Sequence, residues 1–414
     1  MTESWGRYPQ ARHAAEIRLH WRAGLALPLV GPMLPYGQGR SYGDCCLNDG
    51  GKLLRTGGLD RFISFDAGSG LLRCEAGVTL GEILRLMVPR GFFLPVVPGT
   101  KHVSVGGAIA NDIHGKNHHR AGTLGAHVRR LQLLRSDSQP KEITPEDRLF
   151  QATVGGLGLT GLITWAEIAL RRIPVAAVRM EAIPFAGLDE FVVLCEESDS
   201  QCEYTVAWLD VLSGAQRGIF FRGDHVAGAV HAPRTRAAVP PDLPVVNGLT
   251  VRAFNAAYYA AQKLAGRSRL QHWDRFFFPL DGIEHWNRLY GRRGFLQFQC
   301  VVPTREALAE LVRSAPASPL TVLKRFGTAA SPGMLSCPRP GFTLTLDVAN
   351  RGEETFAQLA RLETVAMEAG GALYPAKDAL MSKDTFARSY PRLEEFSGYV
   401  DPAFSSSFWR RVTR

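Results

Sequence analysis

The 414-residue sequence predicts a mixed fold of helices and strands in two units, a glycine-rich one up to about residue 175 and a larger one after it. Glycine gives the first sign of this division: 23 of the 42 glycines lie between Gly31 and Gly161, where an even distribution would place about 13. After residue 175, longer segments of strand-like alternation are separated by helical ones. The content of 45% hydrophobic and 21% charged residues is typical of globular proteins and excludes a wholly disordered chain.

Local patterns predict individual elements. In the first unit, the runs 62–65 and 71–74 flank a turn and predict a β-hairpin. Thr79 and Glu82 then form a capping-box pattern, in which each side chain bonds the backbone N–H of the other residue, and predict a helix that ends before Pro89. In the second unit we expect strands at 206–211, 295–302 and 343–348, helices at 304–314 and 353–369, and a surface loop at the four prolines of 233–244.

Charge and cysteine content narrow the class of protein. Lys and Arg (48) exceed Asp and Glu (39), and the net charge of +9 suits an anionic ligand, an anionic membrane surface or nucleic acid. Seven cysteines without ligand-like spacing argue against a disulfide framework and a zinc site, and predict reduced thiols in a cytoplasmic protein. The apolar stretch 23–30 is too short for a signal peptide or a membrane span, while contact with the inner face of a membrane stays open.

Two glycine-containing segments are candidates for binding phosphate. Residues 35–44 offer several backbone N–H groups in a loop together with the Arg40 side chain. Ser104 is a good helix N-cap, and Gly106 and Gly107 behind it would let a phosphate approach closely. Each glycine costs a helix about 1 kcal/mol relative to alanine, which a ligand or a close backbone contact would explain. A glycine-rich strand connection and a tight helix–strand contact are the structural alternatives.

The segment 112–119 combines imidazole, ammonium and amide groups directly after the predicted helix. His114 and His118 are four residues apart, but the residues between them disfavour a regular helix and no neighbouring carboxylate completes a zinc site. We therefore interpret the segment as an active-site wall that holds no metal. A further segment, 154–161, brings more glycines to the start of a predicted strand at 162–168.

These four segments, in this order, resemble the FAD domain of the vanillyl-alcohol-oxidase (PCMH-type) flavoproteins. The chain is more closely similar to one branch, the decaprenylphosphoryl-β-D-ribose 2′-oxidase family, in the segments 39–44, 104–109, 112–119, 152–156, 286–291, 294–299 and 374–378. The resemblance implies an α+β fold: a two-subdomain FAD-binding domain at 1–175, a substrate-binding cap domain on an antiparallel sheet at 176–371, and a C-terminal segment at 372–414 that returns to the FAD domain.

The resemblance also implies an activity. The family oxidises the 2′-hydroxyl of a ribose linked through phosphate to a polyprenyl lipid, with FAD as hydride acceptor, and a separate NAD(P)H-dependent short-chain reductase completes the conversion to arabinose. An aldonolactone or alditol oxidase of the same fold, acting on a soluble sugar, is the second hypothesis. A non-catalytic nucleic-acid-binding protein is the third and weakest, because the basic residues are scattered in pairs rather than clustered with aromatic side chains.

The resemblance carries over to individual residues. It implies FAD contacts from Gly37, Gln38, Gly39, Arg40, Ser41, Tyr42, Gly99, Ser104, Val105, Gly106, Gly107, Asn111, Asp112, Ile113, His114, Ile163 and Tyr374. It implies substrate-side roles for His114, Lys116, Gln297, Gln299, Lys324 and Lys377. We add Thr343 and Thr345 as substrate contacts, and we assign the catalytic roles to Lys377, His114 and Tyr42. Many relatives bind flavin covalently through a histidine near position 40; arginine cannot form that bond, so we expect non-covalent FAD.

Alcohol oxidation requires groups of these types. A side chain must take the proton of the hydroxyl, and the reduced flavin must be stabilised as negative charge builds on it. Lys377 is our first choice for contacting the hydroxyl oxygen or the flavin, and Tyr42 and His114 are alternative proton acceptors. Gln297 and Gln299, two residues apart on a predicted strand, point to the same face and can hold sugar hydroxyls.

Four positions shape the expected sugar pocket. Lys324 can pair with a substrate phosphate. Thr343 and Thr345 stand where mycobacterial-type relatives carry Asn and Cys, and Phe277 stands where a tyrosine is expected. The polar lining therefore differs, so the sugar and the lipid stay open, and a thiol-directed inhibitor would find no cysteine at Thr345.

Overall fold

The computed structural model describes residues 2–25, 31–174, 176–233, 237–240 and 244–414. Most of the apolar stretch 23–30, part of the proline loop 233–244 and the expected boundary residue 175 lie outside the described residues.

The first unit contains two main sheets. In chain order its strands are β1 (Ala15–Arg18), β2 (Met33–Tyr36), β3 (Lys52–Arg55), β4 (Phe62–Asp66), β5 (Leu71–Glu75), β6 (Phe92–Phe93), β7 (Val128–Leu134), β8 (Lys141–Ile143), β9 (Leu162–Ala169) and β10 (Arg171–Arg172). A parallel sheet has the order β1-β3-β2, an antiparallel sheet has the order β4-β5-β9-β7-β8, and β6 pairs with β10. The helices are α1 (Leu80–Met87), α2 (Val105–Ala110), α3 (His118–Ala121) and α4 (Arg148–Thr153).

One large antiparallel sheet dominates the second unit. The strands are β11 (Ala177–Ala186), β12 (Tyr204–Leu209), β13 (Arg217–Val226), β14 (Ala237–Ala238), β15 (Ser268–His272), β16 (Ile283–Glu284), β17 (Phe295–Val302), β18 (Thr321–Phe326), β19 (Gly341–Ala349) and β20 (Ala372–Leu373). The sheet has the order β15-β11-β13-β12-β18-β19-β17-β20, and β14 pairs with β16. The chain therefore has the α+β architecture that the resemblance implied.

Helices flank this sheet and close the chain. They are α5 (Leu188–Asp199), α6 (Gly248–Leu264), α7 (Trp273–Phe277), α8 (Arg305–Arg313), α9 (Glu353–Glu368), α10 (Lys383–Ser389), α11 (Leu393–Ser397) and α12 (Ser407–Thr413). Within the described ranges, no helix combines the length and the apolar character that crossing a bilayer requires.

Local signals predicted several of these elements correctly. β4 and β5 form the expected antiparallel hairpin. Thr79 Oγ1 accepts a hydrogen bond from the Glu82 N–H at 3.2 Å, and the Glu82 carboxylate accepts one from the Thr79 N–H at 2.8 Å, so the capping box of α1 is complete. Ser104 caps α2 by accepting from the Gly107 N–H at 3.3 Å. In the second unit, β17 has the predicted bounds.

Hydrophobic packing runs through all three parts of the chain. Of the two main buried clusters, one joins the first unit to Trp208 of the large sheet, and the other joins that sheet to Leu157 and to Phe386 of α10. The C-terminal part also contacts the first unit through its backbone, because the Tyr42 N–H donates to the Ala376 carbonyl at 2.9 Å. The packing is continuous, and the division at residues 175 and 371 stays a prediction.

Candidate active site

A cavity of about 850 Å³ lies between the glycine-rich loops of the first unit, the large sheet and the segment after β20. Most of the expected site residues line it: Gly37, Gln38, Gly39, Arg40, Ser41, Tyr42, Gly99, Ser104, Gly106, Gly107, Asn111, Ile113, His114, Lys116, Ile163, Gln297, Gln299, Lys324, Thr345, Tyr374 and Lys377. The fold thus gathers residues from both units and from the C-terminal part around one space. Its volume is in the range of cavities that bind a cofactor or a drug-sized ligand.

Three expected site residues are not on the cavity wall. Val105 is fully buried within the core of the first unit. Asp112 is also fully buried, and its carboxylate accepts a hydrogen bond from the Ser331 hydroxyl, so it ties the loop before His114 to the second unit. Thr343 is buried, and its Oγ1 accepts from the Gln299 side-chain amide at 3.3 Å. These three residues therefore lie behind the wall, and Thr343 bonds directly to a residue that lines it.

One end of the cavity has a wall of backbone with few side chains. Gly39 has a φ of +61°, which L side chains rarely adopt, and a Cβ at Gly37 would collide with the Ser104 hydroxyl that caps α2. A Cβ at Gly99 would meet no atom within 4 Å, since this glycine borders open space. The wall therefore allows a ligand to approach the main chain closely, as a dinucleotide diphosphate requires.

Two buried polar groups at this end fit the same kind of ligand. The part of the chain that the structure describes provides no hydrogen-bond partner for Arg40 Nε or for Asn111 Oδ1. The Arg40 guanidinium lies 4.2 Å from the ring centre of Trp5, and the Asn111 amide donates to the Gly107 carbonyl at 2.8 Å. Buried polar atoms of native proteins are normally hydrogen-bonded, so these two are suited to a bound cofactor.

The polar end of the cavity carries side chains from two adjacent strands. In the antiparallel register of β17 and β19, Gln297 faces Asp347 and Gln299 faces Thr345. The Gln297 amide donates to the Asp347 carboxylate. The Gln299 amide donates to His114 Nε2 at 2.9 Å and connects the sheet to the first unit. These contacts hold the two amides in place, while Gln297 Oε1 has no partner among the described residues.

Three lysines and one carboxylate give this end its charge. Burial, together with the charge of Lys324, lowers the pKa of Lys116 to about 7, and burial lowers the pKa of Lys324 to about 8. Burial also lowers the pKa of Lys377, which the carboxylate of Asp347 partly opposes. The pKa of Asp347 is raised, mainly by burial. The cluster is poised to gain protons and positive charge when an anion binds beside it.

The candidate proton acceptors differ in their expected charge state. Burial raises the pKa of Tyr42 well above its ordinary value, so this phenol remains protonated at neutral pH. Burial and the neighbouring lysines hold the pKa of His114 well below its ordinary value, so its imidazole is neutral. Because Nε2 accepts from Gln299, Nδ1 carries the proton and can donate to a ligand. Lys377 Nζ lies 4.0 Å from the Tyr42 ring centre, next to both groups.

Two residues of this site were missed by the sequence reasoning. Asp347 lies two positions after Thr345 on β19, so the alternation of a strand could have identified it as sharing the face of the predicted pocket residues. Trp5, which lines the cavity and packs on Arg40, belongs to an N-terminal segment whose sequence carries no such signal. No group of three or more His, Cys, Asp and Glu side chains suited to a metal ion occurs in the described ranges.

The chain is similar in sequence to known FAD-binding proteins. Residues 14–144 match the family described as FAD binding domain. Together with the cavity, this match defines the protein as an FAD-dependent oxidoreductase, and the backbone wall with its unpaired polar groups fits the cofactor.

The family follows from similarity over almost the whole chain. The protein is 35% identical to decaprenylphosphoryl-beta-D-ribose oxidase of Mycolicibacterium smegmatis over 408 residues, which cover 91% of this chain and 88% of that one. It is 31% identical to an uncharacterized protein in the mprA 5′ region of Streptomyces coelicolor, over 81% of this chain and 100% of that one. It is 31% identical to alditol oxidase of a Streptomyces species over 34% of each chain. The chain belongs to the decaprenylphosphoryl-beta-D-ribose oxidase family.

Proposed function

We propose that this protein oxidises the 2′-hydroxyl of a pentose that is linked through phosphate to a polyprenyl lipid, and releases the corresponding keto sugar. Bound FAD supplies the hydride acceptor for this reaction. The observation that carries the proposal is that Lys116, Lys324 and Lys377 line the same cavity as Gln297 and Gln299 and as the backbone wall that fits the cofactor. Ammonium groups suit a phosphate and amides suit sugar hydroxyls.

Lys377 is the residue best suited to accept the hydroxyl proton. Its lowered pKa provides a neutral amine near neutral pH, and the negative charge of Asp347 stabilises the ammonium form that proton transfer creates. Tyr42 is unsuited to the same task, because its phenol stays protonated. In this proposal Tyr42 packs against Lys377 and helps to keep water away from the ammonium group.

The other polar side chains position the sugar. Gln297 offers an Oε1 that has no hydrogen-bond partner among the described residues, and the His114 Nδ1–H can donate to a hydroxyl or to the cofactor. Lys324 lowers the pKa of Lys116, His114 and Lys377 by its charge, so it lies near the centre of the cluster and is our candidate for the phosphate contact. The keto sugar would then pass to a separate short-chain reductase that uses NAD(P)H, which completes conversion of the ribose to the arabinose epimer.

Oxidation of a soluble alditol or aldonolactone is the second candidate function. The partial similarity to alditol oxidase supports it, although that similarity covers a third of each chain. Such a substrate has no phosphate, so it would leave the charge of Lys116 and Lys324 without an anionic partner.

Anaerobic bleaching of the bound flavin distinguishes the two functions. Each compound of a panel is added to the holoenzyme without oxygen, and flavin absorbance is followed. The panel contains a polyprenyl-phosphate-linked ribose, its arabinose epimer, ribose 5-phosphate, an alditol and an aldonolactone. We expect fast bleaching by the lipid-linked ribose and slow or no bleaching by the unphosphorylated compounds. Bleaching by the alditol or lactone alone would establish the second function and overturn the first.

A further inference from the structure

Helix α6 exposes an unusually apolar face. Leu249 is 79% exposed, Phe254 50% and Leu264 87%. Five alanines of the same helix are also exposed: Ala253, Ala256, Ala257, Ala260 and Ala261. At the period of an α-helix, the positions 249, 253, 256, 257, 260 and 264 form one stripe, with Phe254 and Ala261 at its side. We call this stripe, with Phe254 and Ala261, the outer face of α6.

The charged residues of α6 and of the segments next to it in the sequence have one sign. Between residues 245 and 273 the sequence contains four basic residues (Arg252, Lys263, Arg267 and Arg269) and no Asp or Glu. Arg252 and Lys263 are exposed. They lie on the same edge of the stripe, because eleven positions are close to three full turns of the helix. Arg267 is exposed beyond the helix end, where its Nε lies 3.9 Å from the Glu181 carboxylate. An apolar stripe with a basic edge is typical of helices that lie in the surface of an anionic bilayer.

The opposite face of α6 is part of the cavity wall. Tyr258 and Gln262 line the cavity, and the Tyr258 ring packs on Trp208 with ring centres 4.8 Å apart. The Asn255 amide of this buried face donates to the Asp210 carboxylate at 2.8 Å, which fixes the helix on the protein. Ile283 lines the cavity and is 37% exposed, so the cavity wall reaches the protein surface at this residue.

We propose that the outer face of α6 docks the protein on an anionic lipid bilayer and thereby places the cavity next to the membrane surface. The side chains of Leu249, Phe254 and Leu264 enter the interfacial region of the bilayer, and Arg252 and Lys263 contact lipid head groups. A second copy of the chain is a poorer occupant, because a two-fold contact on this face would bring the same basic residues towards each other. The benefit of docking rests on the proposed function, since a polyprenyl-linked sugar keeps its lipid in the bilayer.

Vesicle flotation of the holoenzyme tests the proposal without any substrate. Flavin absorbance reports the bound fraction on vesicles of phosphatidylcholine with about 30% phosphatidylglycerol, and on phosphatidylcholine alone. We expect binding to the anionic vesicles that weakens with salt. Leu249→Glu/Leu264→Glu and, separately, Arg252→Glu/Lys263→Glu should each weaken it at least about tenfold. The control Val193→Glu alters a valine that is 50% exposed on α5 and should bind like the wild type.

The outcomes separate this proposal from its alternatives. Three results would overturn the proposal. The wild-type protein does not float, it binds neutral and anionic vesicles equally, or both double variants float as well as the wild type. A wild-type dimer that the leucine variant converts to a monomer without any effect on flotation would also overturn it, because the face would then be a contact between copies. Binding that behaves as expected, together with no bleaching by lipid-linked sugars, would support the docking surface and refute the proposed function.

Discussion

Burial determines the charge of the cavity lysines more strongly than any single partner does. It is the largest cause of the lowered pKa of Lys116, about 7, and of Lys324, about 8. A lysine with a lowered pKa in the folded state binds fewer protons there than in the unfolded chain. The free energy of unfolding therefore rises with pH from about the folded pKa to the unfolded value near 10.4. These lysines destabilise the empty site at neutral pH, as expected for groups placed for an anionic ligand.

Replacement of Lys377 tests the assignment of the proton acceptor. Lys377→Met keeps the length and the apolar part of the side chain but cannot accept a proton. We expect it to retain yellow flavin and to slow substrate-driven bleaching by at least about 100-fold, the usual contribution of a positioned base. Stopped-flow absorbance measures the rate, and Lys383→Met, an exposed lysine of α10, is the matched control. Unchanged bleaching would remove Lys377 from the mechanism.

Asp347 allows a test of the same assignment by pH. Its carboxylate raises the pKa of Lys377 against the lowering by burial, so Asp347→Asn should lower that pKa further. A neutral amine is then available at lower pH, and the acidic limb of the bleaching rate should move down by about one pH unit. In a Lys377→Met background the same change should not move the limb. Loss of rate without a displaced limb would instead assign the proton transfer to Asp347.

Single residues show which parts of the site a sequence can predict. Ser104 and Thr79 were identifiable as caps because their partners lie three residues away. Lys377 and His114 could be assigned only through resemblance to a family, since their contacts come from distant parts of the chain. Trp5 was missed because its contact with Arg40 depends on how the N-terminal segment folds back.

At the scale of elements, the cap of α2 should matter for both folding and cofactor binding. Ser104→Ala removes the cap and should lower the free energy of unfolding of the apoprotein by about 1 kcal/mol. It should also weaken FAD binding by about fivefold, because the main chain at the start of α2 lines the cavity and loses its fixed position. Urea unfolding and a fluorescence titration with FAD measure the two effects.

Helix α8 supplies the matched control for this prediction. Thr304 caps it in the same way, by accepting from the Ala307 N–H at 3.3 Å, and neither residue lines the cavity. Thr304→Ala should therefore cost similar stability and leave the dissociation constant of FAD unchanged. Equal FAD affinities of the Ser104 and Thr304 variants would show that the cap has only a structural role.

The sequence predicted where strands occur better than it predicted which strands pair and in what register. Alternation in 295–302 and 343–348 predicted two strands, and both occur, as β17 and β19. The register of this pair places Gln297 opposite Asp347. It depends on side chains from both strands, so the alternation within one strand cannot predict it. The polar end of the cavity is a product of that register.

On the scale of the whole molecule, the cavity is formed by parts far apart in the sequence. Composition predicted two units, but the two main buried clusters each join residues across that division, because both faces of the large sheet pack on other elements. Hydrophobic residues that recur with a period of 2 in a strand or 3.6 in a helix show which side of that element is buried. They do not show which other element covers that side. The location of Lys377 against Tyr42 of the glycine-rich loop 35–44 therefore had to come from the fold.

This arrangement predicts that FAD contributes strongly to stability and that it does so reversibly. The loop 37–42, the start of α2 and Lys377 all line the cavity, so a cofactor bound there connects distant segments. A ligand that binds only the folded state stabilises it by about 2.7 kcal/mol when its concentration is 100 times its dissociation constant.

Arg40, whose guanidinium packs against Trp5, offers no imidazole for a covalent bond to the flavin. The melting temperature should rise with added FAD, and acid precipitation should leave all flavin in the supernatant. Flavin retained on the pellet, with a melting temperature independent of added FAD, would show a covalent bond and contradict the prediction from Arg40.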